Sequence, residues 1–182
     1  ALALKNENMV KLPVIAYNRS SQAEVVTDAI DLRQSLEAAA VQQQAVGGGY
    51  IRPIVLFQAE PKTDEDSTSF EKLRDKLVNT GIPAEQIAIK TANINELKGV
   101  DLLSPECEIR YIITVNALKE GWDCPFAYVL ASLANKTSQV DVEQILGRVL
   151  RQPHAARQRD QLLNMSYVLT SSNDFSTTLN QI

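Results

Sequence analysis

At 182 residues, 45% hydrophobic and with a formal net charge of −4, the chain has the size and composition of one globular domain with a sizeable core. It contains no apolar run of about 18 residues, so no membrane-spanning helix and no membrane partner are expected, and its first residues lack the basic-then-apolar pattern of a signal peptide. The mild acidity excludes a dedicated nucleic-acid module with a broad basic surface, though not a motor in which a few local phosphate contacts suffice. Cys107 and Cys124 lack metal or redox spacing and read as reduced thiols of a cytoplasmic protein. With His154 as the only histidine, a His-rich metal site is ruled out and no metal ligands are expected.

In chain order, residues 12–17 are a short apolar run that Pro13 marks as an edge or linker strand. Residues 1–20 are assigned to an interdomain linker and this edge strand, and 21–182 to the domain proper. The stretch 21–46 places Val25, Ala29, Leu32, Leu36 and Ala39 at helical spacing, and Gly47-Gly48-Gly49 stops it. These glycines end a helix and lack a following Gly-Lys-Ser/Thr, so they are no phosphate loop. A strand is predicted at 53–57. An acidic stretch at 63–69 then caps a helix carrying Phe70, Leu73, Leu77 and Val78, where negative charge suits the helix dipole. A further strand is expected at 86–90 and a short helix at 95–98. Glu96 and Lys98 form only half of a nuclease motif, with no flanking strand or Pro-Asp, and are not read as one.

Residues 110–115, Arg-Tyr-Ile-Ile-Thr-Val, form a β-branched run typical of a buried parallel strand. Asn116, Lys119, Gly121, Asp123 and Pro125 follow in what reads as a loop, and 126–131 is the next apolar strand. Ser138 and Asp141 look like a capping box. Beyond them, at about 100° per residue, Gln144, Gly147, Arg148 and Arg151 share one helical stripe, with Val142, Ile145, Leu146 and Val149 opposite. Two guanidinium forks beside a glycine suit bidentate recognition of phosphate oxygens. Taken alone, the stripe is more simply a solvated basic face. Its position after a strand-end loop, where open α/β sheets gather their ligands, favours a nucleotide. Strand 166–170 and a helix from 174 close the chain, and the alternation implies an α/β, mostly parallel sheet with helices on both faces.

The order Thr114, Glu120-Gly121-Trp122-Asp123-x-Pro125, then Gln144-x-x-Gly147-Arg148-x-x-Arg151 resembles motifs V and VI of superfamily 2 helicases and translocases. The wording is most similar to the motor subunit of type III restriction enzymes and its DEAD/DEAH-type relatives, and 52–57 is similar to the motif IV strand. The resemblance implies a C-terminal RecA-like domain, a three-layer sandwich, that completes an ATP site begun by a first domain. By that likeness Arg148 and Arg151 act as arginine fingers and Gln144 senses the same phosphate. Gly147 allows close approach, Gly121 and Asp123 lie near the nucleotide, and Thr114, with Asn116 or Lys119, meets the nucleic-acid backbone. The implied partners are DNA, an N-terminal RecA-like domain of the same chain and a modification methyltransferase subunit.

No Gly-x-x-x-x-Gly-Lys-Ser/Thr and no acidic Mg²⁺ motif occur in these residues. The expectation is therefore a fragment of a larger motor: ATP and Mg²⁺ belong to the full-length protein, and none is held tightly here. The same residues leave open another DNA-repair or RNA helicase, or a degenerate RecA-like module that only binds partners.

Overall fold

Five of the apolar runs are uniform rather than alternating, which requires that both faces of each strand be covered. The computed structural model, which describes residues 11, 14–59, 69–91, 93–115, 124–133 and 152–171, meets this requirement with a single sheet. Strands β1 (Val14–Asn18), β2 (Ile54–Gln58), β3 (Ile87–Lys90), β4 (Tyr111–Thr114), β5 (Ala127–Ser132) and β6 (Ser166–Thr170) lie in the order β1-β6-β5-β2-β4-β3. Every pairing is parallel. This is the expected α/β, parallel sheet. Strands β2, β4, β5 and β6 are buried along their whole length, whereas β1 at the edge is half-exposed, as the Pro13-marked run predicted.

Helix α1 (Gln22–Ala45) starts at Ser21, whose hydroxyl accepts the Glu24 N–H at 3.2 Å. Its buried stripe runs Val25, Val26, Ala29, Arg33, Leu36, Ala39, Ala40, Gln43 and packs across β5, β2 and β6. Gly47, at φ 100°, then turns the chain out of the helix, a conformation a side chain would resist. Helix α2 (Ser69–Asn79) buries Leu73 and Leu77 and packs against β4.

The short helix expected at 95–98 is not formed. Asn95 pairs with Lys90 in an isolated antiparallel bridge, Thr91 Oγ1 accepts the Ile94 N–H at 3.0 Å, and Asn95 Oδ1 accepts the Leu97 N–H at 3.1 Å. These side chains cap backbone donors locally and so outcompete a helical turn. Glu96 accepts the Ile89 N–H at 2.8 Å and pairs with Arg74 of α2, a structural use that explains it without chemistry.

Arg52, 1% exposed, donates to the carbonyls of Ile109, Ser104 and Leu102 at 2.7, 3.0 and 2.5 Å. Its guanidinium also lies 5.8 Å from the Phe126 ring centroid. The buried charge is thus matched by carbonyl dipoles rather than by a carboxylate, and it staples the 102–109 segment to the sheet. Arg33 reaches from α1 to the Tyr111 hydroxyl at 3.1 Å and to Glu37 at 3.1 Å, and Glu37 also accepts from Arg110 at 2.8 Å. Burial alone raises the Glu37 pKa, but hydrogen bonds and charge from Arg110 and Arg33 outweigh it and hold the carboxyl below its ordinary value.

Two further elements, 3₁₀ turns at Pro153–Ala155 and Gln161–Asn164, have no counterpart in the predicted elements. The second is held by two tyrosine hydroxyls: Tyr128 donates to Leu163 O at 2.9 Å and Tyr167 to Leu162 O at 2.8 Å. Burial, with Tyr17 and Asp160 adding, pushes Tyr167 up to about 12, so it remains a donor throughout the neutral range.

Two stability predictions follow from these polar anchors. Arg52→Met keeps the stem but strands the carbonyls it pairs with, and should cost about 3 kcal/mol in urea unfolding; a loss below about 1 kcal/mol would mean that those carbonyls simply rehydrate. A depressed carboxylate contributes stability above its unfolded pKa and loses it as pH falls through the folded value. Tm should therefore fall as pH drops below the ordinary value of 4.5, and Glu37→Gln should flatten that fall in circular-dichroism melts at several pH values.

Candidate functional site

Each strand closes on a polar residue, and the parallel register sets these residues side by side. Asn18 pairs with Thr170, Thr170 with Ser132, Ser132 with Gln58, Gln58 with Thr114, and Thr114 with Lys90. One polar row therefore crosses all six strands at the carboxyl edge. The preceding row, Tyr17, Leu169, Ala131, Phe57, Ile113 and Ile89, is wholly apolar in its ring and aliphatic surface. Core gives way to polar edge within one residue step.

Side chains alternate between the faces of a strand. Tyr111 meets Arg33 of α1, so Thr114, an odd number of residues on, points to the opposite face, as do its row partners Gln58, Ser132 and Thr170. These four are 1–8% exposed: Thr114 1%, Ser132 1%, Thr170 2%, Gln58 8%. Ser132 donates to Gln58 Oε1 at 3.0 Å. The backbone continues the ladder one residue further, through Ala59 N to Thr114 O and Leu133 N to Gln58 O, each 2.9 Å. The Thr114 hydroxyl is buried with no hydrogen-bond partner among the described residues, an arrangement that costs free energy unless a ligand or a rearrangement satisfies it.

Among the sequence-derived candidates, Thr114 falls within the described structure, at the head of this edge. Asn116, Lys119, Gly121, Asp123, Gln144, Gly147, Arg148 and Arg151 lie outside the described residues. Gln58, Ser132 and Thr170 were not singled out by motif reasoning. Their signal was present as the polar residue ending each apolar run (IVLFQ, AYVLAS, SYVLT), but only the register makes neighbours of them. At the β3 end of the row, Lys90 lines an open cavity of about 400 Å³ together with Asn95, Leu97, Asp101 and Pro125. Among the described residues no group of three or more His, Cys, Asp or Glu is placed to hold a metal ion, and no helix is long and apolar enough to cross a membrane.

No protein-family model matches the chain, and no curated protein matches it. Thirty-nine chains among solved structures are similar. One is the ATP-dependent Type ISP restriction-modification enzyme LlaBIII bound to DNA, at 19% identity and a TM-score of 0.43, over 91% of this chain and 12% of that one. Another is a fragment described as an HsdR subunit of a type I restriction enzyme from Vibrio vulnificus YJ016, at 17% identity and a TM-score of 0.46, over 95% of this chain and 34% of that one. The chain thus spans 12% of one and 34% of the other, and at these identities neither likeness assigns a role to a residue here.

Replacing the Thr114 hydroxyl by a methyl tests its state in the isolated domain. Thr114→Val should raise stability by about 1 kcal/mol in chemical denaturation, because an unsatisfied buried polar group is removed at constant shape. A loss of similar size would show that the hydroxyl has a partner in the folded domain.

Proposed function

We propose that this chain is the second motor domain of an ATP-dependent superfamily 2 helicase or translocase, most like the motor of type III restriction enzymes. The observation that carries the reading is the position of Thr114. The first residue of the motif V-like block closes β4 inside the polar row, so the segment bearing Gly121 and Asp123 leaves from the carboxyl edge of a parallel sheet. That edge is where open α/β folds bind nucleotides.

In this reading Arg148 and Arg151 extend toward the γ-phosphate held by a first RecA-like domain of the same protein. There they stabilise charge as it spreads over the phosphoryl oxygens. Gln144 contacts the same group, Gly147 keeps the helix close to it, and Gly121 with Asp123 lines the nucleotide side. The donor set fits a triphosphate: two guanidinium forks and an amide supply hydrogen bonds and positive charge but no metal ligands. The Mg²⁺ ligands and the phosphate-loop lysine therefore belong to the first domain. Thr114, with Asn116 or Lys119, meets the backbone of DNA, a contact indifferent to base sequence as a translocase needs. The buried hydroxyl of Thr114, without a partner among the described residues, supports this assignment, since a rearrangement that opened it would let a phosphate oxygen satisfy it.

The test uses the protein carrying both motor domains. Arg148→Ala and Arg151→Ala should each lower kcat for DNA-stimulated ATP hydrolysis by about a thousandfold, while the 182-residue chain alone hydrolyses no ATP. Unchanged turnover in both variants would instead favour a RecA-like module that only binds partners.

A further inference from the structure

The chain immediately after Arg151 is held by a group of buried amides. Gln152, 5% exposed, donates to Asn164 Oδ1 at 2.6 Å, and the same oxygen accepts the Gln158 N–H at 2.7 Å. Asn164 returns a hydrogen bond to Gln158 O at 2.8 Å. Gln43, the last polar residue of the buried α1 stripe, donates to Gln158 Oε1 at 2.7 Å and accepts the Asp160 N–H at 3.0 Å. Gln152 Oε1 is buried with no partner among the described residues, while the bonds that are made tie the turn at 152–164 to the end of α1.

One residue beyond Pro153 the chain makes a second attachment. His154 sits at φ 59°, the only non-glycine with positive φ among the described residues. Its Nε2 meets the Tyr50 carbonyl at 2.9 Å, so that nitrogen carries the proton and donates. Its ring stands edge-on to Phe126, 6.1 Å between centroids at 72°. A Cβ added to Gly49 would fall 3.1 Å from Cδ2 and Nε2 of the ring, tighter than an ordinary contact, so the imidazole would have to shift by a few tenths of an ångström to admit it. Phe126 is fully buried and is itself held by Tyr50, at 6.0 Å, and by Arg52.

The juxtaposition joins two places that are far apart in sequence. Phe126 is three residues past Asp123, and His154 three residues past Arg151. We propose that this seat, built from Gly49, Tyr50, Phe126 and the Gln43–Gln158–Asn164–Gln152 amides, positions the arginine pair relative to the motif V-like block. His154 is then a positioning residue: it touches no nucleotide, and it ties the exit of the arginine segment to the entry of β5. The inference rests on the ATP role given above to Arg148 and Arg151. A left-handed, partly solvent-facing histidine is an uneconomical choice for packing alone, since glycine would remove the backbone strain.

His154→Gly separates the two roles, because it relaxes the backbone while deleting the ring. Gly49→Ala attacks the same contact from the other side. Both are made in the protein carrying both motor domains, with Arg151→Ala in parallel. Each single change should lower kcat for DNA-stimulated ATP hydrolysis by about tenfold, with KM for ATP within about twofold and Tm within about 3 °C of the parent. Gly49→Ala should add nothing further in the His154→Gly background, since its methyl then meets no ring. The proposal is overturned if both single variants turn over ATP at the parent rate while Arg151→Ala abolishes turnover. It is also overturned if the kcat loss follows a matching loss of Tm, or if Gly49→Ala is as harmful without the ring as with it. If Arg151→Ala itself leaves kcat intact, the ATP role fails first and the positioning role with it, a pattern distinct from the other three.

Discussion

Parallel pairing in register, shifted once between Ile54 and Val55 where β2 meets β5, is the constraint on which everything else in this domain depends. In a parallel ladder, paired residues share a face, and a one-residue slip would send every side chain to the other side. Here the slip is opposed at both ends of the strands. The apolar rows fill the interior, and a single polar row closes every strand at the carboxyl edge. Moving any one strand by a residue would bury its terminal polar side chain in an apolar row and expose an apolar one. The same register that specifies the sheet therefore gathers Gln58, Thr114, Ser132 and Thr170 into one place.

Around that sheet, specificity comes from a few polar groups buried with defined partners. Helix α1 has small or aliphatic residues along most of its buried stripe, which would pack in several rotations or offsets. Arg33 and Gln43 interrupt the stripe and leave only one placement satisfied, Arg33 at Tyr111 and Gln43 at Gln158 and Asp160. Arg52 performs the corresponding task for the 102–109 segment, which has little regular structure of its own and is tied down through its carbonyls. Such groups add little net stability relative to apolar substitutes, but a misplaced one is costly, and that asymmetry selects a single arrangement.

The two ends of the sheet consequently serve different purposes. The carboxyl edge offers buried hydroxyl and amide groups, one of them without a partner among the described residues, and is suited to receive a ligand. The amino edge is closed by aromatic rings, the glycine run and interlocked amides, and is suited to hold chain segments still. The motor role proposed above would draw on both, using one edge to engage a ligand and the other to keep the chain segments from wandering.

Much of this was legible in the residues. The six described strands, the two described helices and the glycine stop follow from apolar runs, helical spacing and turn chemistry, which are local and survive reading one segment at a time, whereas the helices read through Arg148 and from 174 lie outside the described residues. The turn at 95–98 was misread as helix because Thr91 and Asn95 cap backbone donors in a way that propensity does not weigh. The reading of Arg148 and Arg151 as suited to phosphate also rests on a local pattern, their spacing and their setting after Thr114, and both lie outside the described residues. What the chain order alone could not supply was adjacency. Nothing in the spacing of Gln43, Gln152, Gln158 and Asn164 announces a shared network, nor does it place His154 beside Gly49 and Phe126. Sequence by itself determined the α/β class and the positions of the strands. Only the tertiary structure decided which polar residues meet, because hydrogen bonds between distant segments depend on strand order and register, and these are set by how the whole sheet buries its apolar rows.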